Sequence, residues 1–175
     1  MGVAREHSFE LRPKAGMGQL VALPLVCSLG ASDALGDVAL AWPSGVVDAD
    51  GDELVSVHVG VGYEGAVIAK VELGLAEGLD AEPSVLEEAV RARIDAWEAD
   101  LAAGRGAAGP LAPVMGEIFD RLQLMGGDVE AHLPDGQAFA RGFFAGISAW
   151  GRVTLIVDGR ELELSPEQAG LRAAP

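Results

Sequence analysis

A period of two between Leu54 and Val61 constrains this chain more than any other feature. Leu54, Val55, Val57, Val59 and Val61 are interleaved with Ser56, His58 and Gly60. Successive side chains of a strand point to opposite faces, so the spacing predicts Val55, Val57, Val59 and Val61 on a core face. Ser56 and His58 then belong to the other face. Ala66 to Leu75 is a second β-rich run, and Tyr63-Glu64-Gly65 suits the turn between the two. Upstream, Asp37 to Trp42 predicts a short strand stopped by Pro43, and Asp48-Ala49-Asp50-Gly51-Asp52 an acidic reversal. Asp37 to Leu75 therefore reads as a strand followed by an antiparallel hairpin.

Helical periodicity flanks this unit. His7 to Arg12 predicts a strand ended by Pro13, and a Gly-containing loop follows it. Apolar residues between Gln19 and Leu35 suit a mostly buried helix with Pro24 near its start. Ser84 and Glu87 have capping-box spacing, and Leu86, Val90, Ile94, Trp97 and Leu101 then form one apolar stripe. Gly104 to Pro110 reads as a flexible break, before a short helix over Leu111 to Leu124. From Val129 onward the pattern is short strands joined by tight turns at Asp135-Gly136, Trp150-Gly151 and Asp158-Gly159. A small barrel is expected there, with Phe139, Phe143, Ile147, Val153, Leu155, Val157, Leu162 and Leu164 supplying its interior. Composition shifts at Gly126-Gly127, which puts a boundary between residues 1–125 and 126–175.

Charge narrows the partners. With 12 Lys+Arg against 27 Asp+Glu the formal net charge is −15, which repels nucleic-acid phosphates and anionic membrane surfaces alike. The apolar run from Leu20 to Leu29 is interrupted by Pro24 and Ser28, short of the roughly 20 residues a span needs. Met1 to His7 lacks an apolar signal core, and the lone Cys27 sits in an apolar run as a buried free thiol. A cytoplasmic, reducing location is expected.

Chemistry is sparse. His7, His58 and His132 fall in three different predicted strands, so no metal centre is expected. Asp48, Asp50 and Asp52 superficially resemble a calcium loop, but Val59 occupies the twelfth position where a bidentate Glu is required. No nucleophile elbow or Walker-type sequence occurs, and Gly104-Arg105-Gly106 reads as linker. No catalytic residue is assigned.

The order of segments resembles the catalytic domain of biotin protein ligases. Leu11-Arg12-Pro13, a helix, then Ala41-Trp42-Pro43-Ser44-Gly45 is similar to the family's sequence around its Lys-Trp-Pro-Asn-Asp element. The hairpin from Glu53 to Leu75 takes the place of the family's Lys-x-x-Gly-Ile-Leu and Gly-x-Gly-x-Asn strands. Asp135-Gly136 through Arg141-Gly142, Ala145-Gly146-Ile147, Gly151, and Leu164-Ser165 to Leu171-Arg172 are similar to its SH3-like C-terminal barrel. The resemblance implies an α/β (α+β) fold: a partial mixed sheet backed by helices, of the class II aminoacyl-tRNA synthetase and biotin ligase type, followed by a small barrel. It also implies biotin and ATP as ligands, with Trp42, Ser44 and Arg172 as vestigial cofactor-binding positions. Biotin carboxyl carrier protein would be a partner.

The resemblance is degenerate where charge matters. The motif lysine is replaced by Ala41, its Asn-Asp by Ser44-Gly45, the next strand's lysine by Glu53 and the following glycine by Ser56. The Gly-x-Gly-x-Asn strand reads Lys70-Val71-Glu72-Leu73-Gly74, so carboxylates stand where phosphates would lie. Ten residues precede Leu11, too few for the family's Gly/Arg-rich loop, and Arg5 alone echoes it. The expectation is a ligase-like protein without ligase activity by itself that retains protein association, including a homodimer through an open sheet edge. An active or fragmentary ligase and a scaffold or regulatory subunit are the alternatives.

Overall fold

The computed structural model describes residues 3–175. The chain opens with β1 (Val3–Leu11), and a 3₁₀ turn over Met17–Ala22 runs straight into α1 (Leu23–Leu35). Pro24 sits in the first turn of α1, where its missing N–H costs no hydrogen bond, so the α-helix starts at Leu23 and not at Gln19. Met17–Leu35 is long and apolar enough to cross a membrane by length and composition, yet 61% of its apolar window lies buried in the fold. Cys27 belongs to this buried helix, and burial pushes its thiol up to about 12.

Two short strands, β2 (Ala39–Leu40) and β3 (Val46–Val47), lead into the hairpin of β4 (Glu53–Tyr63) and β5 (Val67–Ala76). The first sheet has the order β1-β5-β4-β3-β2, and all its ladders are antiparallel. Parallel pairing is confined, among the described residues, to one isolated bridge between Leu40 and Leu122, so the mixed character expected of this sheet reduces to that contact. Val55 and Val57 are buried while Ser56 and His58 lie on the other face, as the alternation predicts. Val59 is only half-buried and Val61 is 43% exposed, contrary to expectation, because the hairpin outruns its helical cover.

Helix α2 (Pro83–Ala102) packs on α1, with Leu86, Val90, Ile94 and Trp97 inward. The capping box is not formed. Pro83 is already helical, and the Glu87 carboxylate instead accepts from His7 Nε2 at 2.6 Å and from Arg91 Nε at 2.8 Å. The Gly104–Pro110 stretch is a fixed series of turns, not a flexible break. Trp97 Nε1 donates to the Pro110 carbonyl at 2.7 Å, and Leu111 N donates to the Ala149 carbonyl at 2.9 Å. Gly109 has φ +146°, and a Cβ there would come within 2.7 Å of the same Ala149 oxygen, so only glycine fits. A 3₁₀ turn over Ala112–Val114 and α3 (Met115–Arg121) replace the longer helix expected to Leu124.

The second sheet comprises β6 (Asp128–His132), β7 (Ala138–Ile147), β8 (Val153–Val157), β9 (Arg160–Leu164) and β10 (Gly170–Ala173). Its order, β10-β6-β7-β8-β9, is antiparallel throughout and compatible with an SH3-like unit. Ile147, Val153, Leu155 and Leu164 are buried as expected, and Val157 and Leu162 partly so. Phe139 and Phe143 are each 44% exposed, and Phe144 is buried in their place. A register shift between Phe144 and Gly146 explains the correction: one extra residue in β7 reverses the side-chain parity counted back from Ile147.

Candidate functional site

Trp42, Ser44 and Arg172 turn out to be tied into the fold. The Trp42 ring is buried, and its Nε1 donates to the Gly151 carbonyl at 2.8 Å, pinning the first sheet to the second. Ser44 Oγ donates to the Val57 carbonyl at 2.8 Å. Next to it, Gly45 N donates to Ser28 Oγ at 2.8 Å, and Ser28 Oγ donates to the Pro24 carbonyl. Gly45 has φ +122°, and a Cβ there would approach the Val55 carbonyl to 3.1 Å, so the Trp-Pro loop is locked between α1 and β4.

Arg172 lies on β10, where its Nε donates to Glu130 Oε1 at 2.7 Å. Arg141 reaches the other oxygen of the same carboxylate at 3.3 Å. The Arg172 hydrogen bond, reinforced by Arg141, holds the Glu130 carboxyl below its usual range. Arg172 and Trp42 do share a cavity of about 270 Å³, which Asp50, Glu53 and Gln123 also line. Ser44 opens instead into a separate groove beside Pro24 and Pro43.

The face of the first sheet opposite the helices forms a further depression, of about 450 Å³. Ser56 and His58 of β4, Lys70, Glu72 and Gly74 of β5, and Glu6 and Ser8 of β1 line it. Register brings them together: Glu72 stands between His58 and Ser8, and Gly74 between Ser56 and Glu6. Lys70 Nζ lies 2.6 Å from Glu72 Oε1. That hydrogen bond and its charge raise the lysine and lower the carboxyl, so the positive charge of the depression is internally neutralised. A Cβ at Gly74 would fall 2.5 Å from Ser56 Oγ, so a larger residue there would force the Ser56 hydroxyl to turn away. Glu6, Ser8 and His58 escape sequence reasoning about function, although the alternation of β4 already separates His58 from the core.

The acidic turn closes on itself, with Asp48 Oδ1 accepting from Asp50 N and Asp52 N at 2.9 Å each. Among the described residues, no three His, Cys, Asp or Glu side chains converge as a metal site would require.

Comparisons with known proteins place this architecture. No protein-family model and no curated protein matches the sequence. Solved structures do match. The biotin protein ligase from Aquifex aeolicus superimposes with a TM-score of 0.73 at 19% identity, over 97% of this chain and 82% of the ligase. The same ligase in complex with biotin and ATP gives a TM-score of 0.71 at 19% identity, over 97% and 78%. A biotin protein ligase-like protein of unknown function from a Silicibacter species gives 0.65 at 17% identity, over 93% and 78%. The chain has the biotin protein ligase fold, as the order of its segments implies.

Proposed function

We propose that this chain is a biotin protein ligase-like protein that does not form biotinyl-adenylate by itself and works through protein association. One observation carries the reading: both motif lysines are gone, and the arginine among the implied cofactor-binding positions is already paired. Ala41 and Glu53 replace the two motif lysines. Lys70 is held by Glu72, and Arg172 by Glu130. Adenylation requires cations and amides that gather around a triphosphate as charge develops on the leaving pyrophosphate. A single carboxylate about 5 Å from one phosphate charge opposes it by about 3 kcal/mol at an effective dielectric of 20. Glu53 acts in that sense, whereas the charge of Glu72 is offset by Lys70.

The association half of the reading has its own support. Among the described residues strand β1 pairs only with β5, so from Val3 to Leu11 its outer edge lies at the rim of the sheet, the kind of edge that recruits another strand. A second copy of the chain, or a biotin carboxyl carrier protein, is the partner this reading assigns. The test is pyrophosphate release from MgATP with and without biotin, using the Aquifex aeolicus ligase as positive control. Release at the no-protein rate supports the reading. Biotin-dependent release above it establishes an active ligase and overturns the reading.

A further inference from the structure

We infer that the outer face of the second sheet docks a basic, apolar segment of a partner protein, centred on Phe143 and Ile156. This extends the association half of the reading above and is independent of whether the chain adenylates biotin. The register of the four strands places Asp128, Phe143, Ile156 and Glu161 side by side, one residue from each of β6, β7, β8 and β9. Cross-strand neighbours stand about 5 Å apart, so an acid, a phenyl ring, an isoleucine and a second acid follow one another across about 15 Å of sheet. All four belong to the side opposite Val129, Phe144, Leu155 and Leu162, which face inward. Phe143 is 44% exposed and Ile156 is half-buried, an apolar pair set between two acids.

The acids of this face divide into two groups. Glu130 holds Arg141 and Arg172, and Glu163 holds Arg152 at 2.9 Å. Asp128 and Glu161 are exposed and, among the described residues, pair with no lysine or arginine. The two free carboxylates are therefore the two that flank the apolar pair. A guanidinium or ammonium seated over the Phe143 ring meets both the negative face of the ring and a carboxylate beside it. The aliphatic stem of that lysine or arginine then covers Ile156. The protein already builds this arrangement internally. Arg91 lies 4.9 Å over the Phe9 ring while its guanidinium meets Glu87 Oε1 at 2.7 Å. On the second sheet the ring and the acids are present, and the partner supplies the cation. An acidic or phosphorylated segment is repelled by the same two carboxylates.

The test uses the full chain, labelled with ¹⁵N, and a short peptide of alternating leucine and lysine as probe. A leucine and glutamate peptide is the control. Amide shifts concentrated on β6 to β9 are expected with the basic peptide and none with the acidic one. Phe143→Ser, and separately Asp128→Asn with Glu161→Gln, should each weaken binding about tenfold. Removing the same number of charges elsewhere, by Glu64→Gln with Asp80→Asn, should leave it unchanged. Shifts spread over the whole acidic surface, equal weakening by the distant pair, or no binding of the basic peptide would each overturn the inference. If a carrier protein binds the chain while the row stays silent, the row loses its role and the association reading stands.

Discussion

Replacing Gly30 should test how tightly the two long helices are packed. Gly30 lies in the middle of α1, and a Cβ built on it would stand 2.6 Å from Val90 Cα, 3.1 Å from the Ala89 carbonyl oxygen and 3.1 Å from Arg93 Cβ. The nearest two atoms are backbone, so no rotamer change relieves the contact. The helices must part by about 1 Å to reach ordinary van der Waals separation, and overpacking of that kind costs about 1–3 kcal/mol. Alanine opposes this with a helix-propensity gain of about 1 kcal/mol. The expected net effect of Gly30→Ala is a loss of up to about 2 kcal/mol. Gly116 provides the matched control: it is also helical, in α3, and nothing lies within 4 Å of its Cβ position. Gly116→Ala should therefore be neutral or stabilising by up to about 1 kcal/mol. Urea unfolding of both variants, followed by far-UV circular dichroism, reads the difference directly. Equal stabilisation by the two substitutions would refute the close helix approach and with it the packing that positions Ser28 under the Trp-Pro loop.

Two further outcomes follow from the polar contacts. Trp42→Phe removes the hydrogen bond to the Gly151 carbonyl and leaves that oxygen unpaired between the sheets, a loss of about 1–3 kcal/mol. Urea unfolding measures it, and proteolysis near Gly151 should accelerate. The Glu87 carboxyl is held below its ordinary value of 4.5, chiefly by the hydrogen bond from His7. Its native value is lower than its unfolded value, so the associated stability is complete above the unfolded value and is lost as pH falls through the native one. Glu87→Gln should accordingly flatten the stability profile below about pH 4.5. An unchanged acid slope would show that the His7–Glu87 contact contributes nothing.

Much of the fold was legible because the strongest signals were local. Alternation fixed the orientation of Val55, Val57, Ser56 and His58, and turn chemistry placed the β7–β8 and β8–β9 connections. Errors arose where a tertiary partner overrode a local rule. Glu87 has capping-box spacing but is drawn to His7 across the α2–β1 contact. One bulge in β7 exchanged Phe144 for Phe143, which no period-two count can foresee. The Gly104–Pro110 turns looked flexible by composition and are fixed by Ala149, far away in sequence. The site was less legible. Trp42 and Arg172 do meet at one cavity, yet their polar atoms are committed to Gly151 and Glu130, contacts invisible without three dimensions. The open-face group of Glu6, Ser8, His58 and Glu72 depends on the β1–β5 pairing, which joins residues more than sixty positions apart.

The central claim is that the chain keeps the ligase fold while its charge no longer accommodates a triphosphate. Isothermal titration of the full chain with MgATP, in the presence of saturating biotin, tests this most directly. The account predicts no saturable ATP binding, whereas the Aquifex aeolicus ligase run in parallel should give a clear isotherm. Saturable ATP binding by this chain would contradict the account, and binding that Glu53→Gln leaves unchanged would show in addition that this carboxylate faces away from the nucleotide.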